Sequence, residues 1–149
     1  MNDYRVLVVF CGEDNGKEKQ NVIDFCQCLN RDHQIDKKNI YYYNTSYLIN
    51  YPITVNHLIN AAKNELKPFS VVVCIGNVSC YNEFYYFLLN NLTQISIKTV
   101  TPIVCQLSTT NTYVDVNILA KRTIELINTN SITSIRFFML FFLIFKNII

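Results

Sequence analysis

The chain has 149 residues, of which half are hydrophobic. That is enough to bury one sizeable core and too few for two ordinary domains. The formal net charge is +2, from 13 basic and 11 acidic residues, and no basic run would follow a phosphate backbone. Nucleic acid is therefore a poor candidate for a partner.

The six cysteines lie mostly within apolar segments, which indicates reduced, partly buried thiols in a reducing compartment. Cys26 and Cys28 form a close pair, but a single intervening residue is neither a metal-binding nor a redox spacing. The N-terminus, MNDYRVLVVF, does not have the pattern of a signal peptide. We therefore expect a cytoplasmic protein without a metal ion or a cofactor. The cysteines are Cys11, Cys26, Cys28, Cys74, Cys80 and Cys105.

In chain order, short β-rich runs alternate with helical spacing, which predicts an α/β fold with a mostly parallel sheet and helices on both faces. Residues 5–10 form an unbroken apolar run, typical of a strand covered on both sides. A helix is predicted over residues 17–30 and a strand over 40–43, followed by a polar, aromatic loop at 44–52. The next helix should begin near Thr54 and end at Pro68. The predicted buried stripes are Val22, Phe25, Cys26 and Leu29 in the first helix, and Val55, Leu58, Ile59, Ala62 and Leu66 in the second.

Residues 69–75, reading FSVVVCI, are the clearest strand and should be central in the sheet. Ser79 begins an aromatic-rich helix, residues 99–106 contain a further strand, and apolar side chains repeat at helical spacing over residues 116–127.

The segment 137–145, FFMLFFLIF, has no polar side chain. It is too short for a membrane-spanning helix, which needs about 20 apolar residues. We expect either a terminal strand or helix packed on the domain, or an anchor that makes a weak membrane or partner contact. The chain is accordingly divided into a domain at residues 1–130 and a hydrophobic C-terminal segment at 131–149.

Several segments carry motifs in a recognisable order. Residues 4–14, YRVLVVFCGED, are a strand that ends in an aromatic residue, a small residue and acids. Residues 70–83, SVVVCIGNVSCYNE, place Cys80 three positions before Glu83. Both resemble motifs of TIR (Toll/interleukin-1 receptor) domains. Tyr51, Pro52 and Ile53 are similar to the proline-bearing BB loop of that family, and residues 100–104 to a later strand, so that the resemblance runs collinearly over residues 4–127.

The chain departs from the family at three places. Ser79 stands where a tryptophan usually precedes the cysteine, and the late Phe-Trp motif is matched at best by Phe137 and Phe138. The acidic residue often found after the second strand is missing from residues 41–44. The related SEFIR domains share the fold and diverge at the same places, so a SEFIR-type adaptor is the nearest related alternative.

The resemblance implies a flavodoxin-like, three-layer α/β sandwich with a mostly parallel, five-stranded sheet. It also implies a cytosolic signalling module of the innate-immune type, which assembles with itself or with other TIR-domain proteins. Tyr51, Pro52 and Ile53 would then form an exposed loop tip that inserts into the neighbouring domain. A proline before a helix start is equally well explained as ordinary punctuation of the chain.

The resemblance leaves an enzymatic alternative open, in which NAD⁺ is the substrate. Enzymatic TIR domains cleave the nicotinamide–ribose bond with the glutamate that matches Glu83, and Phe10, Cys11 and Gly12 would line the ligand. Glu83 is equally explained by the favourable position of an anion in the first turn of a helix, and inactive signalling TIR domains also carry it. Cys80 has no identifiable base, which argues against a nucleophilic cysteine.

Overall fold

The computed structural model describes residues 3–12, 16–78, 82–108 and 114–132. Strands and helices alternate along these residues, as the sequence predicts. The strands are β1 (Val6–Phe10), β2 (Ile40–Asn44), β3 (Val71–Asn77) and β4 (Ile103–Ser108). The helices are α1 (Lys17–His33), α2 (Tyr51–Asn64), α3 (Asn82–Thr99) and α4 (Val116–Ile132), with short 3-10 turns at Lys37–Asn39 and Leu48–Asn50.

The four strands form one parallel sheet in the order β2-β1-β3-β4. The predicted central position of β3 is confirmed, since it pairs with β1 on one side and β4 on the other. The fifth strand that the resemblance to TIR domains implies is not found among the described residues. Because β1 and β3 are parallel neighbours, with Phe10 opposite Ile75, their carboxyl ends emerge at the same edge of the sheet.

Helices cover both faces of the sheet and create two core layers. In the first core layer, α1 and α4 pack on Val6, Val8 and Phe10 of β1. In the second core layer, α2 and α3 pack on Leu7 and Val9. Successive side chains of a strand point to opposite faces, so one unbroken apolar run supplies both layers, and every side chain of β1 is buried.

The second helix differs from its prediction at both ends. It begins at Tyr51 rather than near Thr54, so Tyr51, Pro52 and Ile53 belong to its first turn and not to a loop. Proline is compatible with this position because the first N–H groups of a helix have no partner within it. Leu66 was expected on the buried face and is 88% exposed. The helix ends at Asn64, and Leu66 lies in the following turn with a φ of 59°.

The predicted hydrophobic segment at 137–145 lies outside the described residues, and so do most of residues 131–149. Among the helices of the described residues, none is long and apolar enough to cross a bilayer.

Candidate functional site

The candidate site lies at the carboxyl edge of the sheet, where β1 and β3 end side by side. Cys11 and then Gly12 follow β1, and Glu83 lies in the first turn of α3, the helix that follows β3. The structure therefore places these two predicted site residues on neighbouring strand-to-helix connections of one edge. In open parallel sheets, this edge is where ligands commonly bind. Glu83 is exposed, whereas Cys80 lies outside the described residues.

The backbone of Gly12 is held by the side-chain amide of Asn44, the last residue of β2. The Nδ2 group of Asn44 donates to the carbonyl oxygen of Gly12 at 2.9 Å, and its Oδ1 accepts from the Gly12 N–H at 3.4 Å. A carboxamide has both a donor and an acceptor, so one side chain can bond to the C=O and the N–H of the same residue. Asn44 therefore fixes the position of the turn after β1.

Gly12 is needed at its position because α1 approaches closely. A Cβ atom added to Gly12 would lie 2.8 Å from the Cβ of Glu18, which is closer than carbon atoms can pack. No glycine in the described residues has a positive φ, so steric room and not backbone conformation demands a glycine here. Glu18 also affects Cys11, since burial and then the negative charge of Glu18 raise the pKa of the Cys11 thiol.

Tyr51 links the two central strands at this edge. Its side chain is fully buried in the second core layer, and its hydroxyl is within hydrogen-bonding distance of the carbonyl oxygens of Val9, at 2.9 Å, and Ile75. The hydroxyl has one proton, which it shares between these acceptors of β1 and β3. Burial raises the pKa of Tyr51 well above its usual range, and nearby thiols, led by Cys74, raise it further. Tyr51 is therefore a neutral, structural donor.

The predicted substrate-binding residues Phe10, Cys11 and Gly12 do not face a common space. Phe10 points into the first core layer and Cys11 packs on the second. This follows from strand geometry, because neighbouring residues of a strand point to opposite faces. Cys11 packs on the same core layer as Tyr51, and Gly12 lies beyond the end of β1. Phe10 instead lines a groove between α1 and β2.

The predicted interaction residues also have different surroundings. Tyr51 is buried, so its predicted role as part of an exposed loop tip is wrong; the aromatic ring is instead held in the core by its hydroxyl contacts. Ile53 is 71% exposed, as expected for a contact residue. Tyr47 and Ile49, which the sequence interpretation did not single out, are 68% and 64% exposed. We call Tyr47, Ile49 and Ile53 the exposed apolar surface.

Sequence reasoning missed Asn44, Glu18 and the strand-bridging role of Tyr51. The position of Asn44 at the end of the second strand was a usable signal, because parallel strands bring their carboxyl ends to one edge.

In the described part of the chain, no group of three His, Cys, Asp or Glu side chains could hold a metal ion. No protein-family model matches the chain, and no curated protein matches its sequence.

Proposed function

We propose that this chain is a TIR-like signalling module with a flavodoxin-like fold, which acts by assembling with itself or with other TIR-domain proteins. The proposal is supported by the strand order 2-1-3-4, since a flavodoxin-like sheet has the order 2-1-3-4-5. It is also supported by the collinear motifs at residues 4–14 and 70–83, whose chain positions Gly12 and Glu83 lie on connections at the same edge.

The observation that carries the proposal is the exposed apolar surface. Tyr47, Ile49 and Ile53 each leave about two thirds of the residue in solvent, although they are close together in sequence. Clustered apolar side chains on a surface are typical of protein–protein contacts. Buried Tyr51 lies between them in sequence and is bound to β1 and β3. The surface is thus presented by a fixed scaffold, which lowers the entropic cost of binding.

Assembly is tested by placing a charge on this surface. We expect Ile53→Asp and Ile49→Asp each to weaken self-association or TIR-partner binding about tenfold, the loss typical of an interface residue worth about 1.4 kcal/mol. Sedimentation velocity over a concentration series measures self-association. The thermal midpoint should stay unchanged because both side chains are exposed.

The matched control is Ile118→Asp, which places the same charge on α4 at a residue that is 51% exposed. It should leave association unchanged. An equal loss in this control would mean that assembly responds to net charge and not to the exposed apolar surface. A wild-type chain that stays monomeric at every concentration and binds no TIR-domain protein would contradict the proposal as a whole.

A second candidate function is cleavage of NAD⁺, favoured by the exposed carboxylate of Glu83 in the first turn of α3. A carboxylate near the anomeric carbon can stabilise the positive charge that develops on the ribose as nicotinamide leaves. Nicotinamide release by the wild-type chain should then be lost in Glu83→Gln and kept in Glu125→Gln, which removes the charge of another exposed carboxylate, on α4. Equal activity of the two variants would rule out a catalytic Glu83.

A further inference from the structure

A groove opens on the first core-layer side, between α1 and the outer strand β2. Helices α1 and α4 pack together over the middle of the sheet, and the described residues leave β2 partly uncovered on this face. Ile40 and Tyr42 point to the same face as their partners Val6 and Val8, so their side chains form one wall. The groove has a volume of about 270 Å³.

The groove is apolar along its length and basic at both ends. Its walls include Phe10, Val22, Ile23 and Ile40, and lysines approach it from α1 and from the turn before β2. Between Lys19 and Asn30, the lining stretch of α1 is about 16 Å long, at 1.5 Å per helical residue. Among the residues that the structure describes, no acidic side chain lines the groove. An apolar body with a negative charge at one end would therefore match its surface.

Lys37 is the lysine best placed to hold such a charge. It lines the groove and has no ion-pair partner among the described residues. The next residue, Lys38, does not line the groove and pairs with Asp36 at 3.4 Å. Lys37 can therefore pair with an anion bound in the groove, whereas Lys38 lies outside the groove and already pairs with Asp36.

We propose that this groove binds a small amphipathic anion, a single-chain carboxylate whose tail lies along α1 and whose head group pairs with Lys37. The size of the groove favours this occupant. The groove volume of about 270 Å³ is close to the lower end of small-molecule pockets, which begin at about 300 Å³. A stable protein partner would need a contact area of about 800 Å² on each side. The proposal does not depend on TIR-like assembly, because the exposed apolar surface lies at the start of α2, which packs on the opposite face.

The test is calorimetric titration of the full chain with decanoate, below its micelle concentration. We expect saturable binding that is weakened about tenfold by Lys37→Glu, a loss of about 1.4 kcal/mol, and unchanged by Lys38→Glu. The uncharged analogue decanol should bind with equal affinity to the wild type and to Lys37→Glu. Ile23→Asp, at a partly exposed position of the wall, should abolish decanoate binding without unfolding the chain.

Cys26 supplies a second, independent readout because its thiol lines the groove. Burial raises the pKa of Cys26 to about 11, so the thiol reacts slowly and is followed by alkylation at alkaline pH with mass-spectrometric detection. Decanoate should slow alkylation of Cys26 and not of Cys11, which packs on the other core layer. Absence of saturable binding, equal losses in Lys37→Glu and Lys38→Glu, or unprotected Cys26 would each overturn the proposal. Dimerisation that blocks decanoate would instead assign the groove to a second copy of the chain.

Discussion

The hydroxyl of Tyr51 contacts backbone carbonyl oxygens near the ends of β1 and β3, inside the core. Tyr51→Phe keeps the ring and removes this donor, so the carbonyl oxygens lose a hydrogen bond where water does not reach. We expect the free energy of unfolding to fall by about 1–3 kcal/mol, measured by urea denaturation. Tyr42→Phe on the exposed outer strand is the control and should change stability by less than about 0.5 kcal/mol.

Tyr51 also makes stability depend on alkaline pH. Burial is the main reason why its pKa in the folded chain is well above the ordinary value of 10.0. The unfolded chain therefore releases this proton at lower pH than the folded chain, and the contribution of Tyr51 to stability is complete below about pH 10. As pH rises further, that contribution is lost. The unfolding free energy should fall more steeply above about pH 10 in the wild type than in Tyr51→Phe, and parallel curves would contradict this assignment.

Individual residues of the site were only partly predictable. Gly12 and Glu83 follow adjacent apolar strands, and this pattern was enough to place them at one edge. The Asn44 clamp and the contact of Glu18 with Gly12 depend on how α1 and β2 approach that edge, at distances of about 3 Å. Hydrophobic periodicity carries no information on such approaches, which is why both residues were missed.

At the level of elements, three helices are followed within two residues by a residue other than glycine that has a positive φ. These residues are Gln34, Leu66 and Val100. After α3, the Val100 N–H donates to the carbonyl oxygen of Ile97, and the Thr101 N–H donates to the carbonyl oxygen of Ser96. This is the Schellman pattern, in which glycine is the usual left-handed residue. The chain has only three glycines, and helix ends without glycine are harder to locate from sequence, as Leu66 illustrates.

Val100 is a β-branched residue with a φ of 53°, a conformation that costs an L-residue about 1–2 kcal/mol. It is also exposed, so little packing would be lost on its removal. Val100→Gly should raise the unfolding free energy by about 1 kcal/mol, measured by urea denaturation. Ile97→Gly, an exposed position inside the last turn of α3, should lower stability by about 0.5 kcal/mol. A decrease in both variants would show that the left-handed residue is not strained.

For the whole molecule, the unbroken Val-rich runs were sufficient to predict a parallel sheet with helices on both faces. They did not give the strand order, because a buried run is compatible with any interior position. The structure places β1 beside β3 and leaves β2 on the outside, with Tyr41, Tyr42 and Tyr43 at least 40% exposed. Aromatic residues favour strands in general, so their presence in β2 did not distinguish an outer strand from an inner one.

This arrangement predicts an uneven distribution of local stability. Amides of β1 and β3 lie between paired strands and under both core layers, so their exchange with solvent should require nearly global unfolding. Within the described ranges, the amides of β2 have a partner strand on one side only, and the side chains of β2 are largely exposed. Hydrogen exchange followed by mass spectrometry should rank β1 and β3 slowest and β2 markedly faster. Protection of β2 as strong as that of β1 would mean that its outer edge is covered in solution, and it would contradict the predicted ranking.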